Sequence, residues 1–404
     1  MTTLVQKYGG TSVNGPERIR AVARRIADSR ARGASLVVVV SAMGDTTDQL
    51  IELAHQVSPR PSRREMDMLL STGERVSMAL LVMALNDLGL EAISFTGSQS
   101  GILTNESHSH ARIVSLTPGR IRAELERGRV VIVAGFQGVS PVTKEITTLG
   151  RGGSDTTAVA LAAALAPARC EIYTDVDGVF TADPRVVPEA RRIARLSFRA
   201  CSALAHAGGQ VLHARCVDLA ARERVPLAVR SSFTDTPGTE IVPSEPVEAT
   251  VEQPRVEAIA HRTGVSIVLA EGNSGGRGES RGILEAVAGR FPALGLVAHE
   301  QAGDEHAALV WVGAREDAEA LEACFRELRG PGGEWRLDVQ HDCAFVTLVG
   351  FGLGAAEAAR AEAALEKAGV PIVALRVTAC GLVFRVPNDR CETAVRALHA
   401  ALIG

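Results

Sequence analysis

Three segments of the sequence combine glycine with charged side chains in patterns that suit phosphate chemistry. The first, Lys7-Tyr-Gly-Gly-Thr-Ser12, directly follows a predicted strand and precedes a predicted helix. Glycines let backbone amides approach an anion closely, and a helix N-terminus adds a favourable dipole. The lysine could neutralise charge on a phosphoryl group during its transfer. The segment is not a Walker A loop, because that sequence pattern is absent. The alternative interpretation is a tight strand-to-helix turn with a solvated lysine.

The scarcity of lysine gives Lys7 more weight. Of 43 basic residues, only Lys7, Lys144 and Lys367 are lysines. An ammonium is a compact point charge, whereas a guanidinium is a planar fork, so a lysine kept among arginines indicates a task that arginine does not perform. The count therefore favours a functional Lys7 over a solvated one.

The second segment lies within residues 147–157, contains Gly150-Arg-Gly-Gly-Ser-Asp155 and precedes an alanine-rich helix. Its arginine could bind a carboxylate in a bidentate manner, and the groups at the helix start could bind phosphate oxygens. Ser154 and Asp155 could instead only cap the helix. Capping needs one such residue and no arginine, so binding is the favoured interpretation.

The third segment runs from Tyr173 to Arg185, begins at a predicted strand end and contains three aspartates. Carboxylates at the carboxyl end of a parallel strand occupy the usual ligand position of open α/β sheets and could orient a magnesium-bound nucleotide. A turn rich in Asp and Gly needs no function at all. This segment alone leaves both interpretations open.

Weaker signals lie between these segments. Ser41 and Thr47, after a run of valines, could donate hydrogen bonds to a carboxylate, and Glu74 could accept from an ammonium group. Each could equally be an ordinary helix cap. The histidines show no zinc-ligand spacing, so no metal site is predicted, and His108 with His110 is interpreted as a solvated loop pair.

The elements that must position these residues alternate, through residue 243, between short β-branched runs and longer stretches rich in Ala, Leu and Arg. Apolar strands separated by helices predict an α/β fold with a mostly parallel sheet covered on both faces. The predicted strands are residues 4–8, 35–41, 92–96, 130–134, 171–174 and 227–230, and the predicted helices are residues 17–31, 77–89 and 156–165.

Turn-forming and acidic residues then predict a linker at residues 244–255. Beyond it the order β-α-β-β-α occurs twice, which predicts two small ferredoxin-like α+β modules at residues 256–340 and 341–404. The predicted strands are residues 258–269, 295–300, 306–312, 335–339, 345–350, 371–377 and 381–386, and the helices are residues 280–291, 316–329, 355–368 and 389–402. The glycine-rich residues 272–278 predict a loop.

Composition excludes several classes of protein. The chain has 404 residues, a formal net charge of −4 and 3% aromatic residues, which disfavours a nucleic-acid binder. It shows neither a signal-peptide pattern at its start nor an uncharged apolar run near the roughly 20 residues that a bilayer requires. We therefore expect a cytoplasmic protein without a membrane partner, whose seven scattered cysteines are reduced thiols.

Seven motifs in order resemble those of the aspartate kinases. They are Lys7-Tyr-Gly-Gly-Thr-Ser-Val13, Ser41-Ala-Met-Gly44, Gly73-Glu-Arg75, Phe95-Thr-Gly-Ser98, Gly135-Phe-Gln-Gly138, Gly150-Arg-Gly-Gly-Ser-Asp-Thr-Thr157 and the segment from Tyr173 to Arg185. The resemblance covers residues 1–243 and implies an amino-acid-kinase domain, a three-layer αβα sandwich, followed by two ACT modules that match the predicted repeat. It also implies that MgATP phosphorylates the β-carboxylate of L-aspartate, the entry step to lysine, threonine, methionine and diaminopimelate, in a homodimer or higher homo-oligomer formed through the ACT-like modules.

The same resemblance implies individual roles. Lys7 would stabilise the transferring phosphoryl group, and Asp155 would organise the charges around it. The aspartate-binding residues would be Ser41, Thr47, Glu74, Arg151 and Ser154, with Arg151 on the α-carboxylate and Glu74 near the amino group. The nucleotide site would be formed by Gly9, Gly10, Thr174, Asp175, Phe180 and Arg185. No protein nucleophile is needed, because the substrate carboxylate is already ionised at neutral pH.

The sequence departs from the family pattern in two regions. Gln210 stands where a lysine usually contacts the ATP phosphates, Phe180 replaces a usual tyrosine, and residues 197–201 lack the usual acidic side chains. Whether Arg185, Arg199 or Arg215 replaces the missing charge is left open. In the ACT region, residues 272–278, 298–302 and 377–381 lack the usual effector-binding residues, which predicts weak or absent inhibition by lysine and threonine.

Three functions remain open at this stage. The first is an active aspartate kinase with weakened feedback, favoured by Lys7, Arg151 and Asp155. The second is an impaired or non-catalytic homologue that acts as a regulatory partner, favoured by Gln210. The third, a kinase of a related amino-acid carboxylate, ranks last because the aspartate-binding motifs are intact.

Overall fold

The protein folds into two compact units. The computed structural model describes residues 3–209, 211–243, 255–272, 277–291, 294–302, 306–328 and 335–404. The first unit comprises Met1–Thr181 and Ala190–Val251, and the second comprises Ala182–Glu189 and Glu252–Gly404. The short segment Ala182–Glu189 belongs to the second unit because Val186 and Val187 are buried there and Arg396 Nε donates to Val186 O at 2.9 Å.

The first unit contains twelve described strands and seven described helices. The strands are β1 Thr3–Tyr8, β2 Ser35–Val40, β3 Ala92–Phe95, β4 Ile102–Thr104, β5 Ile113–Leu116, β6 Val130–Ala134, β7 Gln137–Val139, β8 Ile146–Thr148, β9 Ala168–Thr174, β10 Arg195–Ser197, β11 Leu227–Ser231 and β12 Thr239–Val242. The helices are α1 Pro16–Ala31, α2 Thr46–Val57, α3 Arg63–Asp87, α4 Gly119–Glu126, α5 Gly153–Ala164, α6 Phe198–His206 and α7 Ala214–Glu223.

Eight of these strands form one sheet in the order β10-β12-β11-β9-β1-β2-β6-β3. All neighbouring pairs are parallel except β11 with β12. The six strands predicted from the sequence all lie in this sheet, so the predicted fold class is confirmed. β4, β5, β7 and β8 were not predicted; they form a second sheet in the order β5-β4-β7-β8.

Strand alternation decides which side chains meet which helix layer. Leu36, Val38 and Val40 of β2 pack in one core cluster with residues of α1 and α3, and Tyr8 of β1 lies in the same cluster. Lys7, the neighbour of Tyr8, therefore lies on the opposite face of the sheet, where α5 packs against β1. This face of the sheet therefore contains the charged side chain of the first motif, Lys7.

The helix α5 is buried over its first ten residues. Every residue from Gly153 to Ala162 is buried, which agrees with its alanine-rich sequence and the absence of a polar face. A helix buried in this way is rigidly placed, and its first turn is therefore a firm support for charged groups.

The only two tyrosines of the chain hold β1 and β9 together. Tyr8 and Tyr173 occupy paired positions in the sheet, and their rings stack with centroids 4.7 Å apart and planes 11° apart. Tyr8 OH donates to Gln6 Oε1 at 3.2 Å, and Tyr173 OH donates to Glu171 Oε2 at 3.0 Å. Both rings lie directly beneath the carboxyl ends of their strands.

Among the residues that the structure describes, one helix is long and apolar enough to be compared with a membrane span. α3 reaches a mean hydropathy of 1.4 over its most apolar window, 44% of which is buried within the protein. Its inward face contributes Met78, Leu81 and Leu85 to the core and also buries Asp67 and Glu74. These features are typical of a core helix. α3 begins fourteen residues before the predicted helix at 77–89, because Ser62 Oγ caps its start by accepting from Glu65 N at 3.4 Å.

The second unit repeats the order β-α-β-β-α, as predicted. Its described elements are β13 Arg255–Gly272, α8 Arg277–Arg290, β14 Gly295–Ala302, β15 His306–Gly313, α9 Arg315–Leu328, β16 Trp335–Phe351, α10 Ala355–Lys367, β17 Ala374–Thr378, β18 Gly381–Pro387 and α11 Cys391–Leu402. The predicted loop at 272–278 is wrong at its ends, since Gly272 ends β13 and Gly278 lies in α8; residues 273–276 lie outside the described residues.

Two long strands run through the whole second unit. The six-stranded sheet has the order β14-β15-β13-β16-β18-β17, and β13 pairs with β16 along both halves, with register shifts between Arg262 and Ile267. The separate strands predicted at 335–339 and 345–350 are therefore one strand, because the backbone continues through Asp342 at φ 54°. Each half of the sheet has the ferredoxin-like strand order, and the first half of β13 supplies the edge of the half that contains β17 and β18.

The half that contains β14 and β15 has its own aromatic core. Phe325 lies between the two tryptophans of the chain, with its ring centroid 6.2 Å from that of Trp311 and 6.5 Å from that of Trp335. All three side chains are buried together with apolar residues of β13, β15, α8 and α9.

Candidate active site

The candidate site lies where β9, β1, β2 and β6 end side by side. Backbone hydrogen bonds join the segments that follow these strands: Ser41 N donates to Tyr8 O at 3.1 Å, and Gly135 N donates to Val40 O at 3.0 Å. Gly9 N donates to Tyr173 O at 3.2 Å. Four of the seven motifs, which are far apart in the sequence, therefore meet at the carboxyl ends of these strands, the usual ligand position of an open α/β fold.

The central charge pair of the site joins β1 to α5. Lys7 Nζ lies 2.6 Å from Asp155 Oδ1, and each side chain is 12% exposed. The N-cap of α5 is Gly152, in the left-handed conformation with φ 69°, and no side chain caps the helix. The interpretation of Ser154 and Asp155 as mere caps is therefore wrong, and both lie in the first turn, where the helix dipole favours anions.

Close backbone packing brings the substrate-binding candidates together. A Cβ atom at Gly135 would lie 2.7 Å from Ser154 Oγ, and one at Gly73 would lie 2.7 Å from the Cβ of Ala42. Only glycine permits these approaches. They place Ser154 against the end of β6 and Glu74 against the segment after β2, which also contains Ser41.

Among the acids of the site, Glu74 is the most deeply buried. It is 3% exposed, its Oε1 accepts from Ala42 N at 3.2 Å, and its Oε2 has no hydrogen-bond partner in the described part of the chain. Burial raises the pKa of Glu74 to about 7, and the bonds from backbone amides oppose this only in part. A buried carboxylate oxygen without a partner is suited to accept from a cation such as an ammonium group.

The segment after β1 offers donors for phosphate. Gly9 and Gly10 lead into a short 3-10 turn, Gly10–Val13, and the fully buried Ser12 Oγ lacks a hydrogen-bond partner among the described residues. A Cβ at Gly9 would lie 3.5 Å from Lys7 Nζ. Glycine at this position leaves the ammonium accessible, and the donor set fits the phosphates of a nucleotide.

Two further candidates for the aspartate site lie close in sequence to the residues described above. Thr47 is in the first turn of α2, half-buried, directly after the segment that follows β2. Arg151 is exposed just before α5, and no hydrogen bond or ion pair occupies its guanidinium within the described ranges. A cation that is fixed only at its backbone is available for a ligand carboxylate.

The nucleotide candidates are divided between the two units. Thr174 ends β9 and its hydroxyl donates to Asp175 Oδ1 at 3.0 Å, while Phe180 forms a short antiparallel bridge with Arg192. Arg185 lies in the segment that belongs to the second unit, where it forms an ion pair with Asp183 at 2.7 Å.

The structure adds two residues that the sequence did not single out for their contacts. His213 lies so close to Gly152 that any Cβ there would overlap with the imidazole ring. Desolvation lowers the pKa of His213, while the charge of Asp155 raises it.

Arg215 donates to Leu149 O and to the Ala111 carbonyl, each at 2.8 Å. Arg215 is thus engaged in holding the loop before Arg151. Gln210 lies outside the described residues.

The interpretation of His108 as a solvated loop residue is wrong. Its Nδ1 lies 2.7 Å from a carboxylate oxygen of the fully buried Asp67, and its side chain is 19% exposed. Sequence spacing gives no sign of this pair, because 41 residues separate the two positions.

Comparison with known proteins decides the family. The sequence model described as the amino acid kinase family matches residues 2–231. The chain is 44% identical over 403 residues to an aspartokinase of Corynebacterium glutamicum and 43% identical over 405 residues to one of Mycolicibacterium smegmatis; each match covers 99% of this chain and 96% of the relative.

The chain belongs to the aspartokinases of the amino acid kinase family.

A solved aspartokinase has the same fold over its full length. Aspartokinase III of E. coli in complex with aspartate and ADP (R-state) superposes with a TM-score of 0.79 at 25% identity, with complete coverage of both chains. The aspartate kinase of Synechocystis is 37% identical, and the match covers 99% of this chain and 69% of that one, with a TM-score of 0.56. The resemblance of the seven aspartokinase motifs is thus confirmed at the level of the family.

Proposed function

We propose that the protein is a catalytically active aspartate kinase, which transfers the γ-phosphoryl group of MgATP to the β-carboxylate of L-aspartate and forms 4-phospho-L-aspartate. The observation that carries this proposal is the Lys7–Asp155 pair at 2.6 Å, at the edge of the sheet where Glu74 and Ser154 also lie. The pair supports the proposal because Lys7 directly precedes the segment of phosphate-type donors and Asp155 directly follows the substrate-binding candidate Ser154.

The residues have complementary tasks in this reaction. Glu74 binds the substrate ammonium through its unpartnered oxygen, Arg151 binds the α-carboxylate, and Ser41, Thr47 and Ser154 donate to the remaining oxygens. Lys7 neutralises charge on the phosphoryl group, and Asp155 keeps the ammonium in position. Because the attacking carboxylate is ionised at neutral pH, catalysis consists of in-line positioning and charge neutralisation.

The nucleotide is bound by backbone and side-chain donors. Gly9, Gly10 and Ser12 bind phosphate oxygens, and Thr174, Asp175, Phe180 and Arg185 line the remainder of the nucleotide site. No group of three or more metal-ligating side chains occurs among the residues that the structure describes, so Mg²⁺ would be bound mainly through the phosphates of ATP. Mg²⁺ bound there supplies charge neutralisation on the transferring group.

A second candidate is an impaired homologue that binds ligands and regulates another kinase. Gln210 favours it, since a lost positive charge near the phosphates costs several kcal/mol of transition-state stabilisation. Arg215 does not replace this charge in the described arrangement, because its guanidinium bonds two backbone carbonyls. A kinase for a related amino-acid carboxylate is a third candidate with no observation of its own.

One experiment separates these candidates. The purified protein is incubated with MgATP, hydroxylamine and each of several amino-acid carboxylates, and hydroxamate is measured. Signal with aspartate alone supports the proposal. Absence of signal with every acid, restored by Gln210→Lys but not by Gln210→Glu, establishes the impaired homologue, and signal with another acid establishes the third candidate.

We also propose that lysine and threonine inhibit weakly or not at all, that the ACT-like modules join a homodimer or higher homo-oligomer, and that the enzyme is cytoplasmic. The altered residues at 272–278, 298–302 and 377–381 support weak inhibition. Titration of each amino acid against activity tests it, and inhibition at sub-millimolar effector contradicts it. Light scattering of the full chain tests the oligomer.

A further inference from the structure

Two buried acidic residues, Asp67 and Glu74, lie on one face of α3, and the proposed function gives a role to Glu74 only. Asp67 is seven residues before Glu74, so both side chains project from the same side of the helix, and Asp67 is fully buried. A buried carboxylate is costly unless several donors satisfy it. The donors that surround Asp67 therefore indicate what it does.

Asp67 joins two segments that are far apart in the sequence. Thr148 Oγ1 donates to its Oδ1 at 2.6 Å, and His108 Nδ1 lies 2.7 Å from its Oδ2. Ser109 N donates to both oxygens, at 3.0 and 3.1 Å. Ser109 has φ 69°, a left-handed conformation that is unfavourable for a residue with a side chain. The bonds to Asp67 hold it there.

The segment held by Asp67, residues 108–111, packs against the second motif. Gly150 has φ 75°, and a Cβ there would lie 3.0 Å from His110 Nδ1 and from Ser109 O. Ala111 N donates to Thr148 O at 2.9 Å. Together with the two bonds from Arg215 to Leu149 O and Ala111 O, these contacts fix residues 148–150 from both sides. The next residue is Arg151.

We propose that Asp67 is a positioning residue for substrate binding: through Thr148 and the segment 108–111 it fixes the backbone that presents Arg151 to the α-carboxylate. The inference rests on the proposed aspartate kinase activity, and it extends that proposal to a residue with no place in the motifs. Asp67 does not touch substrate. Its effect on the reaction comes through the position and orientation of the Arg151 side chain.

A carboxylate suits this task. Its oxygens accept hydrogen bonds, and Thr148 Oγ1 and Ser109 N both donate to them. Asparagine has nearly the same shape but replaces one oxygen by an NH₂ group, and Ser109 N donates to both oxygens, so at least one hydrogen bond is lost whichever way the amide turns. Asp67→Asn therefore removes at least one hydrogen bond and leaves the packing of α3 unchanged.

The test compares Asp67→Asn and Thr148→Val with the matched control Thr104→Val. The Thr104 hydroxyl is also buried and also forms a 2.6 Å side-chain bond, but to Thr147 instead of Asp67. We expect Asp67→Asn and Thr148→Val to raise the KM for aspartate by about tenfold, the usual order for a lost bond to a charged group, with the KM for ATP unchanged. The control keeps both KM values, and Thr148→Ser restores the KM for aspartate.

Hydrogen exchange of the wild type and of Asp67→Asn gives a readout that is independent of turnover. We expect faster exchange at the amides of Ser109 and Ala111 in the variant, and no such change in Thr104→Val. If the wild type does not phosphorylate aspartate, the proposed function fails, and exchange still decides whether Asp67 orders this backbone. Equal changes in both KM values, or unchanged exchange and KM in Asp67→Asn, overturn the inference.

Discussion

Lys7 Nζ lies 2.6 Å from Asp155 Oδ1, and this ion pair joins the end of a central strand to the first turn of a buried helix. Strand pairing fixes the backbone of Lys7, and burial of the first ten residues of α5 fixes the backbone of Asp155. The ion pair itself orients the ammonium. Groups that are already oriented need no reorganisation during charge transfer.

Lys7→Arg tests whether a compact ammonium is needed. We expect kcat to fall by about two to three orders of magnitude, because a guanidinium is larger, planar and unable to occupy the same point beside Asp155. Hydroxamate formation with saturating aspartate and MgATP measures it. The control is Lys367→Arg, at an exposed lysine in the last turn of α10, which keeps wild-type kcat. A Lys7→Arg variant with near-normal kcat contradicts the assigned role.

Aspartate binding should depend on pH through Glu74. Its pKa is raised to about 7 by burial, so below this pH the carboxyl group is mostly protonated and cannot pair with the substrate ammonium. We expect the Kd for aspartate to rise by up to about tenfold for each pH unit below 7 and to level off above it. Calorimetric titration from mildly acid to mildly basic pH measures this. In Glu74→Gln the dependence disappears and binding is weak throughout.

The same group should cost stability at high pH. A carboxyl group whose pKa is higher in the folded than in the unfolded chain contributes its full stability below the unfolded value, and this contribution is lost as the pH rises through the folded value. Glu74→Gln is therefore more stable than the wild type above pH 7, by up to about 3 kcal/mol, and the difference vanishes near pH 4.5. Urea unfolding at several pH values measures it. A difference of the opposite sign contradicts the burial of an unpartnered Glu74.

Gly135→Ala should disturb the aspartate site by steric contact alone. The added methyl group would lie 2.7 Å from Ser154 Oγ, so either the end of β6 or the first turn of α5 must shift. We expect a loss of about 1–3 kcal/mol of stability and a higher KM for aspartate. Gly119→Ala is the matched control, since a Cβ there meets nothing within 4 Å. It leaves KM unchanged and is neutral or slightly stabilising. A Gly135→Ala variant with unchanged KM would show that Ser154 moves without consequence.

Phe325→Ala tests the aromatic core of the second unit. Removal of a buried phenyl ring between Trp311 and Trp335 costs about 3–5 kcal/mol. The midpoint of denaturation followed by tryptophan fluorescence should fall accordingly. Leu296→Ala, at a side chain that is 49% exposed, serves as the control and shifts this midpoint little. An unshifted transition for Phe325→Ala means that the aromatic cluster does not limit the stability of this unit.

The sequence predicts elements well where local pattern and burial agree. Continuous apolar runs such as residues 130–134 coincide with β6, since a strand covered on both faces must be apolar throughout. The small sheet of β4, β5, β7 and β8 was missed because its three- and four-residue strands are too short to show a period. The fusion of two predicted strands into β16 was missed because Asp342, which reads as a turn residue, continues the strand.

The charged centre of the site could be predicted, whereas its support could not. Lys7 and Asp155 stand in glycine-rich segments at strand and helix ends, and this pattern can be recognised from the amino-acid sequence alone. Asp67 and His108 have no such context, and their contact depends on how α3 packs against the segment after β4. The start of α3 did have a local signal, the capping pattern of Ser62 and Glu65.

The stacked tyrosines and the aromatic cluster give each unit its own optical label. Tyr8 and Tyr173 are the only tyrosines and lie in the first unit, whereas Trp311 and Trp335 are the only tryptophans and lie in the second. Excitation at the red edge of the absorption band reaches tryptophan alone, so tryptophan emission reports on the second unit without a contribution from tyrosine. Unfolding of the second unit can thus be followed separately in the unmodified protein, without any engineered probe.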